Sequence, residues 1–298
     1  MGAPVDEPQT RTLISQTQLN RPLSRLLYRT VLVLTVAGFT LVFLGPLYWL
    51  VTGGLKSTAE VIQNPPTLFP AELHPDTYVT AWRQLGLGRL LFNTLYYALG
   101  ALAFQLVFDV AAAYALSKLR PVLGNLILGM MLATLMIPAA VLIVPQYLTV
   151  LDLPLLHVNL VNTPWAIWLP TVANAFNIFL LKRFFDSVPE DLMAAAAIDG
   201  ATPFRALRSI VLPMSRPILG VVSIFAVVNV WKDFLWPMLV QPDPANQTLN
   251  IGIKSLSMGV PQNVITAALA IASVPTVVFF LIFQRNIMSG LTSGGLKG

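Results

Sequence analysis

Hydrophobic and polar positions along this chain fall in long blocks, not in the short alternation of strands. Stretches free of Asp, Glu, Lys and Arg run 30–55, 90–108, 121–151, 158–181, 217–231 and 255–284. A helix that crosses a bilayer needs about 20 mostly apolar residues, so four of these stretches are long enough alone. The second reaches that length by taking Asp109 to membrane depth, and the fifth by taking Lys232 and Asp233. The pattern predicts six spanning helices at about 29–51, 91–116, 125–149, 160–181, 217–239 and 264–285. With no run of short alternating segments, an outer-membrane barrel is disfavoured. The expected organisation is a polar tail over 1–28, a six-helix domain over 29–286 and a second tail over 287–298.

Composition agrees with an all-α integral membrane protein. Of the 298 residues, 56% are hydrophobic and 10% are charged, whereas soluble domains are about 25% charged. The net charge of +5 could suggest nucleic acid, but its sorting points to a membrane. With a cytoplasmic N-terminus, the inside segments hold Arg11, Arg21, Arg25, Arg29, Lys118, Arg120, Lys182, Arg183, Arg205, Arg208, Arg216, Arg285 and Lys297. The outside segments hold only Lys56, Arg83, Arg89 and Lys254. That bias is the positive-inside pattern, and it places both termini in the cytoplasm of a multi-pass inner-membrane protein. The first 28 residues lack the apolar core and cleavage site of a signal peptide, so the first helix is expected to be a retained span.

Candidate chemistry within the chain is sparse. With no cysteine, there is no disulfide, thiol nucleophile or Cys-based metal site. No Gly-rich loop ends in Gly-Lys-Ser/Thr, so ATP has no P-loop here. His74 and His157 both fall in expected outside loops, without a second histidine at ligand spacing. Asp109 and Lys232 differ in expected depth by about 12 Å at 1.5 Å per residue, too far for an ion pair. Asp109 then faces a polar region between helices or is neutralised by protonation.

Loop 52–89 is rich in turn residues, and Ser57-Thr58-Ala59-Glu60 reads as a capped short helix. Pro138 and Pro145 fall in the third span and Pro164 and Pro170 in the fourth, where kinks are expected. Gly100 with Ala103, Ala111-Ala112-Ala113 and Ala267-Ala268-Ala270-Ala272 suit close helix packing. Trp49, Tyr96, Tyr97, Trp165, Trp168, Trp231 and Trp236 fall near outer helix ends, as an interfacial belt or as faces for stacking a sugar.

The segment between the fourth and fifth spans is the most informative. Ser187-Val188-Pro189-Glu190 reads as a capping box with proline in the first turn. Leu192–Ile198 carries four consecutive alanines, Asp199-Gly200 is a stop, and Thr202-Pro203 opens a second helix that runs to about Leu212. Tethering to spans on both sides and the shortage of basic side chains argue against DNA binding. A membrane-surface helix pair and a docking knob remain.

This pattern resembles the cytoplasmic docking motif of binding-protein-dependent ABC importer permeases: Ala194-Ala195-Ala196-Ala197-Ile198-Asp199-Gly200-Ala201, with Ile210-Val211-Leu212-Pro213 downstream. Ala194 stands where the family pattern carries glutamate, which removes a charged contact there but keeps the shape. Further segments are similar to the second permease subunit of maltose-type systems. They are Leu55-Lys56, Pro65-Pro66, Phe69-Pro70, Ala113–Lys118, Trp231-Lys232-Asp233-Phe234-Leu235-Trp236-Pro237 and the tail Gly290–Gly298. Where this chain has Lys232 the family often has Asn.

The resemblance implies a type I ABC importer permease with six helices and cytoplasmic coupling helices. It implies a homologous permease partner, two ATPase subunits that bind ATP and Mg, an extracytoplasmic sugar-binding protein and surrounding membrane lipid. The chain itself would hold no cofactor, bind no nucleic acid and catalyse no reaction. Docking to the ATPase would fall on Ala194, Ala195, Ala196, Asp199, Gly200 and Phe204 within 187–213. A sugar path needs polar groups beside aromatics, and Asn93, Gln146, Asn174, Asn177, Asn229, Lys232 and Asp233 are the candidates. For each, an inter-helix hydrogen bond is the alternative. Lys232 and Asp233 can equally sit in the outer interface or meet the binding protein. The rival functions are an amino-acid or peptide ABC permease and an ion-coupled secondary transporter. The latter calls for paired ionisable groups near the midplane.

Overall fold

The computed structural model describes the backbone of residues 22–295 and side chains as far as 284. Arg11, Arg21, Arg285, Lys297 and the side chains of the glycine-rich tail lie outside the described residues. Among those described, the regular structure is helical apart from an isolated bridge between Leu153 and Val158. The helices are α1 (Pro22–Gly54), α2 (Thr58–Val61), α3 (Asp76–Gln84) and α4 (Leu87–Tyr114), the last continued by a π-helical turn over Ala115–Leu119. Then follow α5 (Gly124–Thr134), α6 (Ala139–Leu151), α7 (Trp165–Thr171), α8 (Ala175–Asp186) and α9 (Glu190–Ile198). The remainder are α10 (Pro203–Ala206, with a π-helical turn Leu207–Val211), α11 (Leu212–Met214), α12 (Arg216–Lys232), α13 (Leu235–Val240), α14 (Leu249–Leu256) and α15 (Gln262–Gly295).

Among the described residues, three helices are long and apolar enough to cross a membrane: α1, α4 with its π turn, and α15 as far as Gln284. The other predicted spans are interrupted rather than continuous. Segment 125–149 is α5 and α6, bent by 104°. Segment 160–181 becomes α7 and α8 with a break at 172–174, and segment 217–239 becomes α12 and α13 with a break at 233–234. Proline explains much of this. Pro138 has φ −59° and ψ 128° as the residue before α6, and without an N–H it cannot continue α5. Pro237 sits four residues after Asp233, whose carbonyl its ring would meet in an unbroken helix; the chain turns extended at Asp233, with ψ 130°. Pro170 is accommodated inside α7 at the expense of a hydrogen bond to the Ala166 carbonyl. That carbonyl instead accepts the indole N–H of Trp236 at 3.0 Å.

The centre of the bundle is α4, which packs against α12, α8, α7 and α14. Its first half joins Tyr97, Ala98 and Ala101 to Trp168 and Trp236, and its second half joins Val110, Ala113 and Tyr114 to Ile178, Phe185 and Val222. In lipid no hydrophobic force drives helix against helix, so close fit and hydrogen bonds hold such contacts. Gly100 shows the fit: a Cβ there would lie 2.2 Å from the Trp168 ring, while the Trp168 indole donates to the Tyr97 carbonyl at 3.1 Å. Ala267, Ala268 and Ala270 are likewise buried, whereas Ala103 faces outward. The aromatic belt is therefore corrected in part: Tyr97, Trp168 and Trp236 are core, because each polar tip finds a carbonyl inside the bundle. Trp49, Tyr96 and Trp165 are exposed.

Loop 52–89 is ordered. Ser57 caps α2 by accepting the Glu60 N–H. Lys56 is buried, donates to the Thr67 carbonyl and lies 4.6 Å from the Trp49 ring centre. The Glu60 carboxylate accepts from Thr67 at 2.7 Å and from the Ala71 N–H at 3.0 Å. The loop thus folds around two buried charged residues, each satisfied by hydrogen bonds.

Candidate functional site

The breaks at 172–174 and 233–234 lie across one cleft of 170 Å³. Its polar lining is Gln105 from α4, Thr171 and Asn174 from the first break, Asn229 from α12 and Asp233 from the second. Trp236 and Pro237 supply an apolar wall. Interrupted helices expose backbone groups that lipid cannot satisfy, so they occur where protein or a wet cavity receives them.

Beneath the cleft, Asp109 is fully buried, and one of its oxygens accepts the Asn174 N–H at 2.9 Å. The Asn174 side chain in turn accepts the Asn177 N–H at 3.1 Å, capping α8. The break between α7 and α8 is thus pinned to α4 by a carboxylate. Asp109 faces the polar inter-helix region expected of it, and among the described residues no cation pairs with it. The Asn177 side chain faces the Asp109 carboxylate as a hydrogen-bonding partner, while the Gln105 carbonyl oxygen, in the cleft lining, is buried without a partner among the described residues. A buried polar group without a partner costs about 1–3 kcal/mol, so this lining favours contact with water or a hydroxylated solute.

The structure brings Asn174, Asn229 and Asp233 to this cleft, with Asn177 just below. It separates the rest. Asn93 donates to the carbonyls of Ala245 and Gln247 at 2.8 and 3.0 Å, anchoring the loop before α14, so its contacts are structural. Gln146 lies half-buried on α6, away from the cleft lining. Lys232 lines a different, apolar cavity of 600 Å³ with Leu95, Trp231 and Phe279. Neighbours in sequence, Lys232 and Asp233 serve different surfaces because the chain leaves the helix between them. Gln105 was missed as a candidate, although a signal was present: it stands four residues before Asp109, on the same helical face.

The second candidate feature is the hairpin over 187–213. Its α9 has no buried residue, and Ile198 and Phe204 are 88% and 71% exposed at its tip. The turn is a Schellman motif: Gly200 at φ +73°, with the Ala201 N–H donating to Ala196 and the Gly200 N–H to Ala197. Thr202 caps α10 by accepting the Arg205 N–H at 3.3 Å. The capping box expected at Ser187 is not formed. Ser187 keeps helical angles at the end of α8 and its hydroxyl donates back to the Phe184 carbonyl at 2.6 Å; the chain becomes extended only at Pro189. At the base, burial would raise the Asp186 carboxyl, but hydrogen bonds from Lys182 and Ser117 outweigh it and hold it below the ordinary range. A slim, exposed alanine helix with apolar residues at its turn is a surface suited to a protein partner.

Comparison with known proteins agrees with this architecture. Over 89% of its length the chain superposes with a TM-score of 0.78 on 98% of a chain from the crystal structure of a bacterial ABC transporter involved in the import of the acidic polysaccharide alginate, at 22% identity. It is 36% identical to the sulfoquinovosyl glycerol transport system permease protein SmoH of Agrobacterium fabrum, over 85% of this chain and 88% of that one. It is 30% identical to the sn-glycerol-3-phosphate transport system permease protein UgpE of Rhizobium meliloti, over 91% and 97% of the two chains. The arabinooligosaccharides transport system permease protein AraQ of Halalkalibacterium halodurans is 31% identical over 85% and 91%. Residues 105–292, which contain both the cleft and the hairpin, match the binding-protein-dependent transport system inner membrane component, and the chain belongs to that family of ABC importer permeases.

Proposed function

We propose that this permease carries a sugar or an oligosaccharide across the cytoplasmic membrane by alternating access. The observation that carries the reading is the cleft in which Gln105, Asn174, Asn229 and Asp233 stand beside Trp236. Hydroxyl-rich solutes with apolar ring faces need that mixture of hydrogen-bonding and aromatic groups. The named solutes of the relatives, a sulfoquinovosyl glycerol and arabinooligosaccharides among them, support it over an amino acid or peptide.

In this reading the predicted six spans, three of them interrupted, form the domain over 29–286 with polar tails on the cytoplasmic side. Asn174, Asn229 and Asp233 act in the solute path. The 187–213 hairpin faces the cytoplasm and receives one of two ATPase subunits, which bind ATP and Mg. Ala194, Ala195, Ala196, Asp199, Gly200 and Phe204 form the contact, while a homologous permease completes the pathway and a sugar-binding protein delivers solute from outside. Closure of the ATPases moves the hairpin and switches the bundle between two arrangements. Reconstitution of the complex in liposomes with its binding protein and a panel of sugars and amino acids tests the reading. Uptake stimulated by sugars is expected. Stimulation by amino acids alone would overturn it.

A further inference from the structure

Residues 114–120, where α4 ends, grip both arms of the hairpin. On one arm, the Lys118 ammonium donates to the Val188 carbonyl at 2.8 Å, and the Ser117 hydroxyl donates to the Asp186 carboxylate at 2.7 Å. Arg120 pairs with Glu190 in the first turn of α9. On the other arm, the Tyr114 hydroxyl donates to the Pro203 carbonyl at 2.9 Å, at the start of α10. Tyr114 and Ser117 are 5% and 1% exposed, so the donors are buried while the accepting groups at Pro203 and Asp186 reach the surface. The Arg120–Glu190 pair is exposed and holds little by itself.

The backbone of this segment is unusual in the same place. It winds as a π turn over Ala115–Leu119 and ends with Arg120 in the left-handed region at φ 47°. π turns are frequent at functional sites, and the hairpin carries a second one, Leu207–Val211. Tyr114, on the regular helix before the π turn, reaches one arm, while Lys118 within the turn and Arg120 just after it reach the other. The same helix carries Gln105 of the cleft and Asp109 beneath it, nine and five residues before Tyr114, about 14 and 8 Å along the axis.

We propose that residues 114–120 form a transmission clasp, through which movement of the hairpin is delivered to α4 and so to Gln105 in the cleft and Asp109 beneath it. Covalently, the hairpin continues only into α8 and α11–α12. The clasp adds α4 as a third follower, so that the Asp109–Asn174 contact and the hairpin move as one body. Tyr114 and Lys118 are positioning residues here; neither touches the solute. The inference rests on the reading of 187–213 as the ATPase contact.

The test uses the assembled complex in liposomes, with a photo-crosslinker at position 204 reporting ATPase contact. Loss of one such hydrogen bond is about 1 kcal/mol, or roughly fivefold. Tyr114→Phe, which removes one oxygen and no bulk, and Lys118→Met are each expected to lower solute moved per ATP hydrolysed by about that factor. Crosslinking and ATP hydrolysis stay within about twofold, and Lys118→Arg restores the ratio. A merely structural role would lower membrane levels, or hydrolysis and uptake in proportion, and that result overturns the clasp. So does an unchanged ratio in both variants with crosslinking intact. Absence of the crosslink in the unaltered complex would instead overturn the docking reading beneath it.

Discussion

Substitution of Gly200 isolates the shape of the proposed docking turn from its contacts. The residue has φ +73°, and a Cβ built on it meets no atom within 4 Å. Steric crowding from neighbours is therefore absent, and what a side chain costs here is the left-handed backbone alone. For an L-residue that is about 1–2 kcal/mol, with asparagine tolerated best. A β-branched residue in that region is a genuine outlier and should exceed this range. The strain is relieved only by opening the Schellman turn, which holds Ala201 N–H on Ala196 and Gly200 N–H on Ala197. Opening shifts the direction of α10 relative to α9 and with it the spacing of Ile198 and Phe204. A change of 1–2 kcal/mol alters an equilibrium by roughly 5–30-fold, so binding of the ATPase should weaken in the order Gly200→Asn, Gly200→Ala, Gly200→Val. Co-purification with the ATPase subunits measures this, alongside membrane levels of the variant, which should not change because the turn is exposed. Equal binding by the asparagine and valine variants would refute the reasoning. So would a loss of insertion that tracks the series.

At Gly100, alanine would drive a methyl to 2.2 Å from the Trp168 ring. Overpacking of that kind costs about 1–3 kcal/mol, so Gly100→Ala should unfold at lower temperature in detergent, and an unchanged midpoint would contradict the packing. Because Asp233 lines the polar cleft and Lys232 the apolar cavity, Asp233→Asn should change the ranking of transported sugars while Lys232→Met leaves it intact. Identical sugar profiles for both variants would remove Asp233 from the path. Since the chain lacks cysteine, single cysteines at Glu72 and Leu156 should react with an impermeant thiol reagent in intact cells and one at Arg205 should not; labelling at 205 would invert the proposed orientation.

The sequence by itself determined the class and the outline. Long uncharged blocks cannot be housed in a small soluble globule, so a helical membrane protein followed from the pattern alone. The shape of the 187–213 hairpin was nearly as legible, because an alanine run, a left-handed glycine and a Thr-Pro cap are local devices whose geometry is set within a few residues. Only its first cap was misread. Whether Ser187 faces forward into α9 or back into α8 depends on where the chain turns extended, and Pro189 decides that. The sugar-path candidates were less legible. Asn93, Asn174 and Asn229 look alike in sequence, since each is a polar side chain in an apolar span. Tertiary structure gives Asn93 two loop carbonyls, makes Asn174 a cap held by Asp109 and leaves Asn229 facing the cleft. The same holds for Trp236, whose place in the core depends on a carbonyl freed by Pro170 some 66 positions earlier, as the two residue numbers give. Periodicity and local caps are carried by neighbours along the chain. The partner of a buried polar group is chosen by whichever helix lies across from it, and that only the packed bundle decides.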